Sequence, residues 1–500
     1  MQRDLIDGVP VFWEPAPGGE AGPGPLEAAL LFGCGVRDET FRTRGVTRLV
    51  ARRVLGALPR LGCRQHATVT LELAEFGCAG RPEQVAGFLE GVCRALAEPS
   101  AGRAGRAGDA LPHPTVGALL AHRYGIQGPG LALYPECGGI PAAAVRDRVR
   151  RYFHAGNAVL VLTGPPPEGL RLPLPPGRRP VLGAAEPVLP AGPSWRAAGV
   201  SGAGLAIRVE LADAAVRLAM TVLAGRLRVA LGDRVEQESV LTGPGWGERI
   251  VHLSGADPGL AELLWTEARR LAADGPGAAE LAERLARAAD RPLDPAEPFA
   301  RAHAELLGWR HRSPEEELDA LKELTADRVR EAFAGALGGA LLVVPRGAGS
   351  GLAAAGLPAH RCGAHRTPPG AGRQLRPRRR DRLLSGAARE ARLWVTDRGL
   401  VLRSPGGELC ELPYSSVVGV EVRGPGRVVY GRDGCVIPVL PGLFAGSGPA
   451  VRAVDAAVPA GLRFTASVSG RPPGAAQGTP TRAESLSVVG RRSAPSGRPR

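Results

Sequence analysis

Residues 35–52 read GVRDETFRTRGVTRLVAR, and the fold is read outward from them. The stretch has the pattern of a strand end, a turn and the start of a helix. Val46, Leu49, Val50 and Val54 recur at helical spacing. Upstream, Leu5 to Trp13 predicts a hairpin about Asp7-Gly8, a favoured turn pair. Pro15 to Pro25 predicts a loop, and Leu26 to Gly33 a second strand. Downstream, Ala67 to Leu73 alternates as a strand, with Val69, Leu71 and Leu73 on one face. Pro82 to Leu96 is amphipathic through Val85, Phe88, Leu89, Val92 and Leu96. Strand, helix, strand, helix in this order predicts an α+β lobe with helices on one face of a mixed sheet.

A second unit repeats part of the first. Ala142 to Phe153 predicts a helix and Ala158 to Thr163 (AVLVLT) a buried strand. Thr325 to Phe333 and Ala340 to Val344 (ALLVV) predict the same pair, with Val145-Arg146 and Val329-Arg330 in comparable places. An internal duplication is expected. The Pro-rich stretch Pro165 to Pro193 reads as the connector. In the second copy, Leu205 to Leu211 and Ile250 to Leu253 read as strands. Asp213 to Ala230, Asp257 to Ala273 and Ala278 to Ala289 read as helices. Ser313-Pro314-Glu315-Glu316 reads as a capped helix start. The expected units are 1–185 and 186–350 as lobes, 351–390 as a basic linker, 391–460 as a small β-rich domain and 461–500 as a disordered tail.

The turn and helix at Gly35–Arg52 resemble the metal-site segment of the insulinase/pitrilysin/mitochondrial processing peptidase family. There a Gly-Ser-x-x-Glu turn leads through a Gly into a helix carrying His-x-x-Glu-His. Gly35, Asp38, Glu39 and Gly45 fit that frame, while the three chemical positions fall on Arg48, Ala51 and Arg52. Two imidazoles one helical turn apart would hold Zn²⁺, and the Glu between them would serve a metal-bound water as base. Guanidinium groups have no lone pair to give and repel a dication. Ala51 can neither take nor deliver a proton. The family supplies a further Glu ligand from a later helix; the comparable part here, around Gly102 to Ala121, is shortened and has no Glu. The resemblance therefore implies two homologous insulinase-type lobes with no metal, no cofactor and no catalytic residue. In the second lobe the family's substrate-binding Arg and Tyr fall on Arg228 and on Val235 or Asp233, so the Tyr is lost. Arg228 alone also reads as an exposed helix arginine.

From Ala391 the character changes. Leu393–Thr396, Gly399–Leu402, Val417–Val422, Arg427–Tyr430 and Cys435–Leu440 read as short strands between Gly-rich turns, and Val451 to Val458 as a closing helix. The LWVTDRGLVL hairpin, the Leu412–Val417 step and the last helix resemble bacterial pleckstrin-homology-like domains. The first hairpin has no Lys/Arg cluster for a lipid headgroup, so protein interaction or structural packing is the expectation.

Composition bounds the rest. Five hundred residues exceed one ordinary core. Apolar content of 44% suits globular domains, while 4% aromatics leaves cores of Leu, Val and Ala. Lys322 is the only lysine; with abundant Ala, Gly and Pro this points to a GC-rich bacterial genome. The net charge of +14 is concentrated in Arg366–Arg389 and Arg463–Arg500, which argues against nucleic acid and leaves room for weak attraction to anionic membranes. Eight cysteines show no Cys-x-x-Cys or zinc-finger spacing, so free thiols in a reducing cytoplasm are expected. The start MQRDLIDGVPVFW has no signal-peptide core, and no apolar run is long enough for a membrane span.

The histidines are scattered: His113 and His122, and His303 and His311, do not share a helical turn. His360 and His365 flank Cys362 without a fourth ligand. Phosphate loops and a nucleophile elbow are absent. Within the family some members pair an inactive chain with an active one. The expected function is thus a peptide-binding or partner subunit, paired with an active zinc peptidase or as a homodimer. A scaffold acting through its carboxy-terminal domain is the alternative, and an active zinc endopeptidase the third reading.

Overall fold

The structure is a computed structural model describing residues 2–14, 25–59, 61–98, 107–189, 192–290, 297–360, 369–379, 390–404 and 409–465. Arg366, Cys362, His365 and the tail beyond Thr465 lie outside the described residues.

The first sheet is built from β1 (Gln2–Ile6), β2 (Val9–Trp13), β3 (Leu26–Phe32), β4 (Arg64–Thr70), β5 (Ala74–Gly80), β6 (Gly108–Ala110) and β7 (Ala158–Leu162). Its order is β1-β2-β7-β3-β5-β4-β6. The hairpin β1–β2 turns at Asp7 and Gly8, both with positive φ (49° and 81°), as the dipeptide predicts. Helices α1 (Val46–Ala57), α2 (Pro82–Ala97), α3 (Pro114–Tyr124) and α4 (Ala142–Tyr152) complete this half. The expected strand Ala67–Leu73 is instead one arm of a hairpin. The chain turns at Leu71 and Glu72 and returns as β5, in register with both β4 and β3. Its sequence, AEFGCAG, is too rich in small residues to signal a strand. Gly77 is needed there because the His66 ring lies where a Cβ would stand.

The second sheet is β8 (Ser194–Ala198), β9 (Gly202–Glu210), β10 (Val235–Gly243), β11 (Trp246–Ser254) and β12 (Leu341–Pro345), in the order β10-β11-β9-β12-β8. The duplication is visible in the pairing. β7 runs parallel to β2 and antiparallel to β3; β12 runs parallel to β8 and antiparallel to β9. The run β2-β7-β3-β5-β4 matches β8-β12-β9-β11-β10 strand for strand. The helices here are α5 (Ala214–Leu231), α6 (Leu260–Asp274), α7 (Ala278–Ala289), α8 (Glu297–Leu307), α9 (Pro314–Lys322) and α10 (Ala326–Leu337). Ser313 caps α9 as expected, and Glu316 completes a capping box with it. The polar edge strand β10 and the helix α8 were not legible in advance.

Each half lends a helix to the other. One face of the second sheet is covered by α5, α6 and α10, through Leu223, Leu264 and Phe333. On its other face Leu341, Val343 and Ile250 join the first core with Leu119 and Leu120 of α3. Reciprocally, Ala302, Leu306 and Leu307 of α8 pack on Phe12, Leu31 and Val159 of the first sheet. Expected as helices on one face, the arrangement is a sheet covered on both faces, the second face by a borrowed helix.

The stretch expected as linker contains the short helix α11 (Ser350–Ala354) and a strand, β13 (Arg373–Leu375). β13 adds to β14 (Arg392–Val395), β15 (Gly399–Arg403) and β16 (Leu409–Pro413) in one sheet. A second sheet holds β17 (Val417–Arg423), β18 (Gly426–Gly431), β19 (Val436–Val439) and β20 (Arg463–Phe464), ordered β19-β18-β17-β20. With α12 (Gly448–Ala457) they enclose a core of Leu393, Leu400, Leu412, Val420, Ile437 and Val454. β20 takes in two residues of the expected tail by pairing parallel to β17. Of the described cysteines, Cys34, Cys78, Cys93, Cys137 and Cys435 are buried, and burial pushes Cys34, Cys78 and Cys93 up to about 12. Among the described residues no helix is long and apolar enough to cross a membrane.

Candidate functional site

The turn ahead of α1 is held by the residues that fit the family frame, and each has a local task. Asp38 accepts a hydrogen bond from the Gly35 amide at 2.8 Å and closes the first turn. Gly35 is backed against the Leu71 carbonyl, which leaves no room for a Cβ. Glu39 is fully buried and caps the helix: its carboxylate accepts from the Gly45 amide at 2.7 Å and the Thr47 amide at 2.9 Å. A carboxylate satisfies the open amides there and suits the positive end of the helix dipole. Gly45 has φ 96°, and a Cβ on it would stand 2.8 Å from the Glu136 carboxyl carbon. Arg148 of α4 donates to the carbonyls of Gly35 at 2.7 Å and Asp38 at 2.8 Å, clamping the same turn.

The three chemical positions follow from this helix. Ala51 is completely buried in the core. Arg48 forms an ion pair with Glu136, a residue of the loop before α4. Arg52 is on the exposed side. Arg48 is half-buried against a carboxylate, and Arg52 points outward, because α1 sets the two off its buried face. Arg44 lies between two acids, 3.5 Å from Glu39 and 3.9 Å from Glu136. Burial lowers its pKa, opposed by those carboxylates.

Sequence reasoning missed Glu136. Of Gly102–Ala121, where the resemblance places a further Glu, the described part holds β6 and α3, and residues 102–106 lie outside the described residues. The Tyr-Pro-Glu-Cys loop has no helical pattern to mark it. Two guanidiniums, an alanine and a carboxylate already paired with arginine do not fit zinc. Among the described residues, no group of three or more His, Cys, Asp and Glu side chains is placed to hold a metal ion.

Arg228 is exposed at the end of α5, and its Nε donates to the Val235 carbonyl at 3.3 Å. The side chain that could grip a substrate carbonyl is thus used to fasten the helix end to β10. Asp233 falls in the tight turn between them.

The motif turn is also an interface. Phe41, just after Glu39, meets Tyr430 with ring centroids 4.7 Å apart and Phe464 at 5.3 Å. Arg42 Nε donates to the Gly461 carbonyl at 3.0 Å, and the Gly138 amide to the Thr465 carbonyl at 3.0 Å. The carboxy-terminal sheets are therefore docked on the turn that leads into α1. The same turn reaches the second half through Arg37, which donates to the Leu241 carbonyl at 3.1 Å, beside Glu72 of the β4–β5 turn. Glu72 accepts from the Leu241 amide at 2.6 Å and from His303 at 2.8 Å, with Arg37 3.6 Å away. Burial raises its pKa, but these three donors and charges outweigh it, and the net shift is downward.

No family model matches the chain, and no curated protein matches it. Solved structures do. A chain of Complex III2 from Candida albicans, bound to Inz-5, matches with a TM-score of 0.50 and 13% identity, over 68% of this chain and 94% of that one. A predicted insulinase family protease from Yersinia pestis matches with a TM-score of 0.48 and 14% identity, over 69% and 92%. A peptidase M16 inactive domain from Pseudomonas fluorescens matches with 0.46 and 15%, over 68% and 96%. Identities this low speak for the fold alone. The chain's α+β fold is similar to that of the Complex III2 chain across about two thirds of its length.

Proposed function

We propose that the chain is a non-catalytic relative of the insulinase/pitrilysin-type metallopeptidases that acts as a partner or peptide-binding subunit. The observation that supports this reading most is the fate of the three motif positions. Arg48 is neutralised by Glu136, Ala51 is packed into the core and Arg52 faces outward. The turn that would present a metal is retained and reused as a docking surface. The similar chain of Complex III2 belongs to a multi-chain assembly by its own description, which favours pairing with a second chain, an active zinc peptidase in the first instance. Residues 1–185 and 186–350 are taken as the two lobes, and the cytoplasm as the compartment. Purification of the native protein from its source, with metal analysis of everything that co-elutes, tests this. A zinc-bearing peptidase partner supports it. Zinc in this chain alone contradicts it.

A second reading treats the lobes as a platform. The two carboxy-terminal sheets and α12 have their own core, which favours a pleckstrin-homology-like module that binds protein or lipid. Capture of partners by the full chain and by a chain lacking 391–458 separates the readings.

A further inference from the structure

The second half has an open cleft of about 820 Å³, far from the turn at Gly35–Gly45 in sequence and built from different elements. One wall is the β10–β11 turn with Trp246 and Arg249. The other is the segment after α8, with Trp309, His311 and Arg312, and Arg217 of α5 lies at the base. A volume of this order accommodates a small organic molecule.

The charges of the wall are unequally matched. Arg217 is committed to Glu317 at 2.7 Å, and His311 to Glu297 at 2.6 Å. Arg249 hydrogen-bonds Ser239, a neutral hydroxyl. Among the described residues no carboxylate stands within ion-pair distance of Arg249 or Arg312. The buried side-chain polar atoms left without a partner on the lining residues are Arg217 Nη2, Arg249 Nε and Trp309 Nε1, all donors, while Glu210 of the same lining is exposed to solvent. Burial, with Arg217 nearby, brings the Arg249 pKa down to about 10, still cationic at neutral pH. A half-buried guanidinium beside a second one is stabilised by an oxyanion that accepts from it in bidentate fashion. Two indoles border the same space. Trp246 is 39% exposed, with Arg208 placed 5.0 Å from its ring centre. An exposed indole backed by a cation offers its free surface to a flat, apolar partner.

We propose that this cleft binds a small molecule carrying a single oxyanion, carboxylate or phosphate, on a planar ring, with Arg249 and Arg312 taking the anion and Trp246 and Trp309 flanking the ring. The site is independent of the reading given to the motif helix, so either can fail without the other.

The test is titration calorimetry on the full chain, with phenyl phosphate, benzoate, inorganic phosphate and benzyl alcohol as probes. Saturable binding of phenyl phosphate or benzoate is expected, at least about tenfold tighter than of inorganic phosphate or benzyl alcohol. Whichever aromatic anion binds tighter distinguishes a phosphate from a carboxylate ligand. Arg249→Gln should weaken it at least about tenfold, and Trp246→Phe should reduce the accompanying fluorescence change. If Arg249→Gln does not fold by circular dichroism, Arg312→Gln is read in its place. The proposal is overturned if neither aromatic anion binds, if benzyl alcohol binds equally well, or if the folded arginine variant binds like the parent chain.

Discussion

Phe41 and Tyr430 lie ring against ring, centroids 4.7 Å apart and planes tilted by 43°. One stands in the turn that opens the motif helix, the other in the carboxy-terminal strand β18. Through this pair the turn ahead of α1 packs against the carboxy-terminal strand. Gly419 of β17 lies under the Phe41 ring and leaves no space for a side chain. Phe41→Ala should therefore cost about 3 kcal/mol of stability, as for other buried aromatics. Limited proteolysis should then release the carboxy-terminal sheets at protease levels the parent chain withstands. Unchanged denaturation and proteolysis would show that the contact contributes nothing.

Glu39 bears on the turn from inside. It satisfies two helix amides and lies beside Arg44. Glu39→Ala leaves those two amides without their acceptor and removes the nearer of the two carboxylates beside the buried Arg44. A loss of about 3 kcal/mol is expected in chemical denaturation. Glu39→Gln should lose less, because its carbonyl still accepts. Equal losses for both would place the effect in packing rather than in the cap.

The exchange of α3 and α8 makes the halves interdependent. A fragment of residues 1–185 lacks α8 and would expose the face of Phe12, Leu31 and Val159. It should bind a hydrophobic dye and aggregate, and co-expression with 186–350 should restore solubility. A monomeric fragment with cooperative unfolding would contradict the exchange.

Acid should act on Glu72. Its pKa in the folded chain lies below the ordinary 4.5, despite burial, because His303, Arg37 and the Leu241 amide favour the charged form. The unfolded chain then binds the proton more tightly, so stability falls as pH falls. The contribution is complete above about pH 4.5 and is lost as pH drops through the folded value. Unfolding free energies for the parent chain and Glu72→Gln, measured from pH 6 downward, should converge in acid. A constant gap would show that this carboxylate's charge is irrelevant.

Much of this was legible in sequence. The Asp7-Gly8 hairpin, the capped start of α9 and the repeated helix–strand units each follow a local rule, and local rules survive folding. Gly35, Asp38, Glu39 and Gly45 were singled out by a resemblance alone, and the local tasks they have in the turn and the helix start were not read from the sequence. What escaped depends on distant partners. β5 is a strand because β3 and β4 enclose it, not because Ala74–Gly80 prefers one. Glu136 has no local signature, and its role arises only where its loop passes α1. α8 is flanked by prolines that disguise it. β13 belongs to a sheet whose other strands lie beyond a basic segment, and composition alone placed it in a linker.

The most direct test of the central claim is elemental analysis of the purified chain, with peptide hydrolysis assayed with and without a chelator. Arg48 paired with Glu136, and Ala51 in the core, predict less than stoichiometric zinc and no chelator-sensitive cleavage. One zinc per chain with cleavage abolished by chelation would contradict the account.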